Sequence, residues 1–261
     1  MELNLTGKVA FVSAASRGLG KAIATESSGG GANVVVCSGG EEQSVRTARN
    51  SGQGAGHRVT PLTGDVSRQD DIQSFVEHIK QAHGKLDVLV CNAGGPPGGE
   101  FESFDDAAWQ SAFETNLLSV VRLVRESLPL MKEGGGKILA VASSSVKVPL
   151  PGLILSNVMR AGVAGLMKTL ANELARYDIL VNTVCPGRIA TDRVAELDAA
   201  RANLEGKTVA EVKQAEENQI PLKRYGSPEE FARVTAFLAS EANTYVTGST
   251  LMIDGGLVQA L

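Results

Sequence analysis

The chain has 261 residues, of which 43% are hydrophobic and 4% aromatic, enough for one large core, and we expect a single domain over 1–261. Its net charge of −4 is spread along the chain, which excludes the basic stripe of a nucleic-acid surface and the polybasic helix of a membrane surface. The N-terminal segment lacks a signal-peptide pattern and no apolar run approaches transmembrane length, so we expect a cytoplasmic protein whose partners are small molecules or its own copies.

Seven short apolar runs with helical segments between them predict the strands of one sheet. The runs show little alternation of apolar and polar residues, as expected of strands covered on both faces. An amphipathic helix is clearest at Val163, Leu166, Met167, Leu170 and Leu174. We therefore predict an α/β fold with a doubly wound, seven-stranded parallel sheet and helices on both faces. The predicted strands are 8–14, 33–38, 57–63, 86–92, 137–143, 179–185 and 249–254.

Two capping-box patterns predict helix starts, at Ser103–Asp106 and at Ser227–Glu230, the second with Pro228 at the first helical position. A long charged segment, about 188–225, follows the sixth strand and is predicted to be irregular. Ligands of such folds bind beyond the carboxyl ends of the strands. We therefore expect this insertion to cover a ligand.

The cysteines and histidines do not form a recognisable site. No C-x-x-C or H-E-x-x-H pattern is present, which argues against a metal and against a disulfide framework. We predict that the cysteines are buried small residues and that the histidines lie on the surface. These residues are Cys37, Cys91, Cys185, His57, His78 and His83.

A glycine-containing turn, Ser13–Gly20, follows the first strand, and Gly18 and Gly20 open the next helix. Glycines at this place let the backbone approach a pyrophosphate, which the N-terminus of the helix attracts through its free N–H groups and its dipole. A pair of glycines alone is weak support. It gains force from motifs that follow the later strands.

Those motifs are Gly64–Ser67, Cys91–Gly95, Asn116 in a helix and Cys185–Thr191, with a closing segment over 245–256. Together they make the chain resemble the classical short-chain dehydrogenase/reductase family, with its Rossmann-like fold, nearly from end to end. The family's loop is T-G-x-x-x-G-x-G. Here Ser13 replaces the threonine and Ala14 replaces the first glycine, and the turn tolerates the added methyl group if φ at Ala14 is negative.

The resemblance implies a set of coenzyme-binding residues. Asp65 and Val66 are expected at the adenine, Asn92–Gly94 beside the coenzyme, and Pro186, Gly187 and Thr191 on the nicotinamide side. The whole predicted set is Ser13, Ser16, Arg17, Gly18, Leu19, Gly20, Asp65, Val66, Asn92, Ala93, Gly94, Arg160, Pro186, Gly187 and Thr191.

The residues after the second strand favour NADP(H) over NAD(H). A carboxylate there would bind the ribose 2′-hydroxyl and repel a 2′-phosphate, yet the first acid is Glu41. Arg17 offers a cation to that phosphate. The alternative is that Arg17 is a solvated loop residue.

The family's chemistry rests on Asn, Ser and a Tyr-x-x-x-Lys pair, with the serine thirteen residues before the tyrosine. Ser143 ends the fifth strand, and thirteen residues later the chain has Ser156, followed by Arg160 where the lysine belongs. Asn116 matches the asparagine. The resemblance therefore implies the catalytic set Asn116, Ser143, Ser156 and Arg160.

Neither replacement is a convincing general acid, because an aliphatic hydroxyl has a pKa far above that of tyrosine and a guanidinium does not deprotonate near neutral pH. No substitute is evident among Tyr177, Tyr225 and Tyr245. Lys147 and Arg188 are on loops that can face the cleft, although we expect both to be solvated.

Three functions are consistent with these residues. The favoured one is a divergent oxidoreductase, similar to the β-ketoacyl-carrier-protein reductases, that acts on a carbonyl or alcohol in a cavity shaped by 94–101 and 188–225. The second is a catalytically silent dinucleotide-binding sensor or hetero-oligomer subunit. The third is non-redox chemistry on the same fold, as in the halohydrin dehalogenases. The family resemblance also implies a homotetramer.

Overall fold

The computed structural model describes residues 3–40 and 59–260, so Glu41, His57 and the start of the predicted strand 57–63 lie outside the described residues. The described strands are β1 Val9–Val12, β2 Asn33–Ser38, β3 Val59–Thr63, β4 Val88–Cys91, β5 Gly136–Val141, β6 Ile179–Pro186 and β7 Thr250–Ile253. All pair in parallel in one sheet, in the order β3-β2-β1-β4-β5-β6-β7. The predicted doubly wound, seven-stranded parallel sheet is confirmed.

The sequence of each strand matches its place in the sheet. Every residue of the central strands β1 and β4 is buried, as their unbroken apolar runs require. Pro61 lies in β3, an edge strand, where the lack of a backbone N–H disrupts the fewest hydrogen bonds between strands. The other edge strand, β7, leaves Leu251 39% exposed.

The described helices lie on both faces of the sheet. They are α1 Gly18–Gly29, α2 Gln69–His83, α3 Asp106–Phe113, α4 Ser119–Ser127, α5 Ile154–Leu174, α6 Asp192–Glu205, α7 Val209–Gln219 and α8 Pro228–Ala239. Apolar residues of α2, α4 and α5 pack on one face, where the rings of Phe11 and Phe75 meet edge to face at 6.0 Å. Residues of α1 and α8 pack on the other face, around Phe231. Burying each large side chain stabilises the fold by about 1.5–3 kcal/mol.

The two predicted helix starts have different outcomes. Ser227 and Glu230 form the predicted capping box at the start of α8, with Pro228 in its first turn. The prediction at Ser103 is wrong, because Asp105 caps α3 by accepting a hydrogen bond from the N–H of Ala108. A carboxylate next to the first helical residue reaches this orphan N–H directly.

The prediction that 188–225 is irregular is also wrong, since the insertion contains α6 and α7. Thr191 caps α6 by accepting a hydrogen bond from the N–H of Val194. Thr208 and Glu211 form a full capping box at the start of α7. These caps satisfy orphan N–H groups that the polar sequence would otherwise leave to solvent.

Candidate functional site

The carboxyl ends of β1, β4, β5 and β6 meet at one edge of the sheet, and most of the predicted site residues follow them. Hydrogen bonds between Ser13 and Asn92 connect the end of β1 to the end of β4. The Ser13 hydroxyl donates to the carbonyl oxygen of Asn92 at 2.7 Å and accepts from its N–H at 2.8 Å. The Asn92 side-chain amide donates to the carbonyl oxygens of Ser13 and Ala14 at 3.2 and 3.1 Å. The turn after β1 is therefore clamped to the end of β4.

Ala14 adopts a φ of +48°, so the condition for tolerating its methyl group without strain is not met. The turn must reverse here because the next residue, Ala15, donates its N–H to the carbonyl oxygen of Cys37 at 3.0 Å. A β-carbon in the left-handed region costs about 1 kcal/mol relative to glycine. The substitution of the family's glycine thus leaves a strained turn beside the predicted coenzyme site.

The glycines that remain are required by their surroundings. Gly18 has a φ of +55°, and a β-carbon on Gly20 would lie 2.6 Å from the carbonyl oxygen of Ala14. Among the described residues, no side chain caps the N-terminus of α1, which has twelve residues. Its first N–H groups therefore remain available to an anion, and the turn fits a dinucleotide pyrophosphate. Ser16 and Leu19 are half-buried in the same turn.

Arg17 lies at the N-cap of α1 and extends toward the insertion. Its Nη1 is 3.8 Å from carboxylate oxygens of both Asp192 and Glu196 on α6, and its side chain is 66% exposed. The residues from Ser38 to Gly40 after β2 carry no carboxylate. A coenzyme 2′-phosphate bound at this place would therefore compete with Asp192 and Glu196 for the guanidinium of Arg17.

The remaining predicted coenzyme residues lie on the loops after β3, β4 and β6. Val66 is buried, whereas Asp65 is exposed and accepts a hydrogen bond from the N–H of Ser67. Gly187 has no room for a side chain, since a β-carbon would lie 2.5 Å from that of Asp254. The methyl group of Thr191 lies 3.6 Å from where a β-carbon on Gly18 would stand. Ala93 and Pro186 are half-buried, and Gly94 is exposed.

Arg160 is buried on α5 and bonds to the main chain of two strand ends. Its Nη1 donates to the carbonyl oxygen of Val141 at 2.8 Å, and its Nη2 to that of Ala93 at 3.3 Å. Burial lowers the pKa of Arg160 to about 10, which still leaves the guanidinium charged at neutral pH. Within residues 3–40 and 59–260, no carboxylate forms an ion pair with it. The site thus contains a fixed, uncompensated positive charge.

The other three predicted catalytic residues lie around α5. Ser156 is half-buried and shares a helix face with Arg160, four residues on. Ser143 accepts a hydrogen bond from the N–H of Ser145. Asn116 lies in a π-helical turn, Glu114–Leu118, and its buried Oδ1 has no hydrogen-bond partner within the part of the chain that the structure describes. π-Turns of this kind often occur at functional sites.

The turn that carries Asn116 packs directly on α5. A β-carbon on Gly162, two residues after Arg160, would lie 2.9 Å from the side chain of Leu117. The glycine therefore lets the two elements approach closely.

The three tyrosines have other surroundings. Tyr225 donates its hydroxyl to Asp198 at 2.9 Å, and burial together with this hydrogen bond raises its pKa. The ring of Tyr177 lies under the cations of Lys132 and Arg176, and Tyr245 is 95% exposed. Lys147 is exposed, as expected.

Arg188 does not remain solvated, so that expectation is wrong. Its guanidinium lies 3.0 Å from Asp198 and 3.1 Å from Glu216, two carboxylates that are buried between α6 and α7. Arg201 also pairs with Glu216. Sequence reasoning missed these acids because the partners are far apart along the chain.

The insertion reaches across to the loop that follows β4. Arg193 on α6 donates from Nη2 to the carbonyl oxygen of Pro96 at 2.7 Å. This loop, 94–101, also forms one wall of a cleft of about 510 Å³. Its lining residues are Gly99, Glu100, Phe101, Pro149, Leu150, Pro151, Gly152, Ile154 and Asn157.

The cysteines are buried, as predicted, and burial raises the pKa of the Cys37 and Cys185 thiols to about 12. His78 is exposed and His83 half-buried at the end of α2. In the described part of the chain, no three His, Cys, Asp or Glu side chains are grouped for a metal. Nor does any helix there have the length and apolarity to span a membrane.

Comparisons with known proteins place these features in one family. A family model described as enoyl-(acyl carrier protein) reductase matches residues 13–258. The 3-oxoacyl-(acyl-carrier-protein) reductase FabG of Aquifex aeolicus is 32% identical over 258 residues, which cover 98% of this chain and 100% of that protein. The dehydrogenase/reductase SDR family member 4 of Sus scrofa is 34% identical over 261 residues, covering 98% of this chain and 89% of that protein. The L-sorbose reductase of Gluconobacter frateurii, complexed with NADPH and L-sorbose, superposes with a TM-score of 0.95 at 32% identity, with both chains fully covered.

Proposed function

The chain belongs to the short-chain dehydrogenase/reductase family, and we propose that it passes hydride between NADP(H) and a carbonyl or alcohol substrate at a non-standard site. The observation that carries this proposal is the placement of Arg160. Its buried cation lies between the ends of β4 and β5, on the helix face that also presents Ser156. Such a charge stabilises negative charge that develops on a reacting oxygen.

We assign Ser156 and Arg160 to the positions that hold tyrosine and lysine in the family pattern. The spacing from Ser143 supports this register, since Ser143 lies two residues after the end of β5 and Ser156 lies in the first turn of α5. The proposed catalytic set is therefore Asn116, Ser143, Ser156 and Arg160.

When bound, the nicotinamide coenzyme would supply or accept the hydride. The hydroxyl groups of Ser143 and Ser156 donate hydrogen bonds to the substrate oxygen, and Arg160 supplies positive potential. Because neither Ser156 nor Arg160 releases a proton near neutral pH, water supplies the proton. The unpartnered Oδ1 of Asn116 is an acceptor suited to hold such a water. Loss of a general acid costs about 10²- to 10⁴-fold in rate, so turnover is slow.

Two features support NADP(H) as the coenzyme. Arg17 is the cation at the start of α1, and the described residues after β2 present no carboxylate that would repel a 2′-phosphate. The solved structures of L-sorbose reductase and of the actinorhodin polyketide ketoreductase contain NADPH. The cytoplasmic location and the homotetramer stay predictions.

A second candidate is a catalytically silent dinucleotide-binding protein. It is favoured by a serine in place of a general acid at position 156 and by the hydrogen-bond partners of Arg160, which among the described residues are two backbone carbonyls and no tyrosine. It requires coenzyme binding without turnover.

A turnover assay separates these functions. The purified protein is incubated with NADPH and a panel of neutral ketones, aldehydes and β-keto thioesters, and loss of the reduced nicotinamide is followed with product analysis. We expect slow, saturable reduction that falls at least about 10-fold in Arg160→Met, since a developing oxyanion loses its charge partner. Tight NADPH binding without turnover on any substrate would overturn the reductase and leave the silent binder.

A further inference from the structure

The guanidinium of Arg160 has more hydrogen-bond donors than the described chain supplies with acceptors. A guanidinium carries five N–H groups. Two of them bond to the carbonyl oxygens of Val141 and Ala93, and five less two leaves three. The side chain that carries these three donors is only 6% exposed. Buried charged donors without acceptors are costly, so the arrangement points to a ligand that supplies the missing acceptor.

The charge of Arg160 is uncompensated as well. Within residues 3–40 and 59–260, the ionisable group that interacts with it is the thiol of Cys185, at the end of β6. Burial raises the pKa of Cys185 to about 12, so this thiol is neutral at neutral pH and cancels no charge. Hydroxyl groups of a coenzyme would accept hydrogen bonds from the guanidinium without neutralising it. An anionic oxygen would do both.

Two serine hydroxyls add further donors beside the guanidinium. Ser156 lies one turn before Arg160 on the same face of α5 and is half-buried. Ser143 is linked to Arg160 through Cys185, because its backbone N–H donates to the sulfur that interacts with the guanidinium. The Ser143 hydroxyl accepts from the N–H of Ser145, which leaves its own hydrogen to donate. Charged N–H and neutral O–H donors together suit an oxyanion.

The basicity of the product decides which substrate such a site can serve. Hydride addition to a simple ketone leaves an alkoxide, which is about as basic as hydroxide, the anion of water with its pKa of about 15.7. An alkoxide must be protonated before it leaves, and the site has no convincing general acid. A quinonoid carbonyl gives a phenolate instead, whose conjugate acid has a pKa of about 10. A phenolate can remain an anion while a fixed cation holds it.

We propose that Arg160, Ser143 and Ser156 form a binding site for a phenolate-type oxyanion, and that the substrate is a quinonoid carbonyl whose reduced form is such an anion. The choice of substrate rests on the proposed function, whereas the oxyanion site does not. The quinone accepts one hydride, with both electrons, as a C–H bond of the reduced nicotinamide breaks. An O–H bond forms at one quinone oxygen, and the negative charge moves through the ring to the other oxygen, at Arg160. Water protonates that oxygen after release.

Oxyanion binding is measured without coenzyme, with 4-nitrophenol as the probe. Its anion absorbs visible light and the neutral phenol does not, so a pH titration reports the ionisation of the bound molecule. We expect the pKa of bound 4-nitrophenol to lie at least about one unit below that of the free molecule, which means that the anion binds at least about 10-fold more tightly than the neutral phenol. Arg160→Met should abolish this shift. Arg233→Met, at an exposed arginine of α8, is the matched control and should retain it.

Two milder variants keep the test decisive should Arg160→Met fold poorly. Arg160→Lys retains the positive charge and should retain most of the shift in the pKa of the bound phenol. Ser156→Ala removes one hydroxyl donor and should weaken binding of 4-nitrophenolate about 10-fold, as expected for a hydrogen bond to a charged group. A bound pKa equal to the free value, or an unchanged affinity for 4-nitrophenolate in Ser156→Ala, would overturn the oxyanion site.

The substrate class is tested with tetramethyl-1,4-benzoquinone and 1,4-cyclohexanedione, a saturated ring with the same two oxygens. Their kcat/KM values are measured with NADPH after subtraction of the uncatalysed rates. Because the quinone is inherently easier to reduce, the ratio of the two values is compared between the parent and the double variant Ser156→Tyr, Arg160→Lys. We expect the ratio to fall about 10²-fold in the double variant, since the diketone gains the acid that it needs and the quinone needs none.

An unchanged ratio in the double variant would overturn the assignment to a quinonoid substrate. Binding of 4-nitrophenolate with the expected shift, but no oxidation of NADPH by either acceptor, would overturn the proposed hydride transfer and leave the oxyanion site standing. Reduction of both acceptors without a shift in the pKa of bound 4-nitrophenol would do the reverse.

Discussion

The guanidinium of Arg160 donates a 2.8 Å hydrogen bond to the carbonyl oxygen of Val141, the last residue of β5, nineteen residues earlier. A second bond, to Ala93 beyond β4, holds the same group from another strand end. The cation is therefore part of the scaffold and cannot swing toward solvent. Its burial lowers its pKa to about 10, so it keeps its charge throughout the neutral range.

Restoring the family's acid should raise activity. In the double variant Ser156→Tyr, Arg160→Lys, we expect reduction of a neutral ketone to rise about 10²-fold, because a tyrosine beside an ammonium transfers a proton near neutral pH. The measurement is kcat/KM with NADPH. Ser156→Phe, which adds the ring without the hydroxyl, is the control and should show no gain; an equal gain in both variants would contradict the role given to the missing acid.

The strain at Ala14 predicts an unusual stabilising substitution. With φ at +48°, Ala14→Gly should stabilise the protein by about 0.5–1 kcal/mol and raise Tm by about 2–4 °C. Thermal unfolding followed by circular dichroism checks this. Ala22→Gly, in the middle of α1, is the matched control and should destabilise by about 0.5–1 kcal/mol. A loss of stability in Ala14→Gly would show that the turn is not strained.

The two carboxylates near Arg17 should weaken binding of a 2′-phosphate. In Asp192→Asn, Glu196→Gln, we expect NADPH to bind about 3- to 10-fold more tightly, because the 3.8 Å contacts no longer compete for the cation. NADH affinity should change less than about 2-fold, since it lacks that phosphate. Glu173→Gln, an exposed acid on α5, serves as the control in the same calorimetric titration. Equal tightening of both coenzymes would mean that Arg17 does not meet the 2′-phosphate.

The insertion should depend on its buried ion network. Arg188→Met leaves Asp198 and Glu216, which are 3% and 6% exposed, with one cation fewer, and should lower the free energy of unfolding by about 3 kcal/mol. Urea unfolding measures the change. Lys80→Ala, which removes an exposed pair with Glu77, should cost less than about 0.5 kcal/mol. Equal effects in the two variants would show that the network does not hold the insertion.

The sheet could be predicted from the sequence because its central strands are buried on both faces. The short, valine-rich run inside Asn33–Ser38 favours a buried strand over a buried helix, and the predicted bounds of this strand match those observed. The helices of the insertion have no such apolar run. The capping-box pattern at Thr208–Glu211 does indicate the start of α7. The ion pairs of Arg188 and Arg201 with Glu216, in contrast, join residues far apart in the chain and leave no local pattern.

The candidate site shows the same division. Motif spacing brings Ser156 and Arg160 onto one helix face, but the partners of Arg160 are backbone carbonyls, which leave no trace in the side-chain sequence. The positive φ at Ala14 likewise accompanies a tertiary contact, the hydrogen bond from the Ala15 N–H to the carbonyl oxygen of Cys37.

The binding of the coenzyme is measured by titration of the purified protein with NADPH and with NADH, by calorimetry at one salt concentration and one pH. We expect saturable binding of NADPH, at least about 10-fold tighter than that of NADH, a difference of about 1.4 kcal/mol. Failure of both coenzymes to bind would contradict this expectation, because the Ala14 turn would then have closed the pyrophosphate site. Tighter binding of NADH would contradict the role of Arg17.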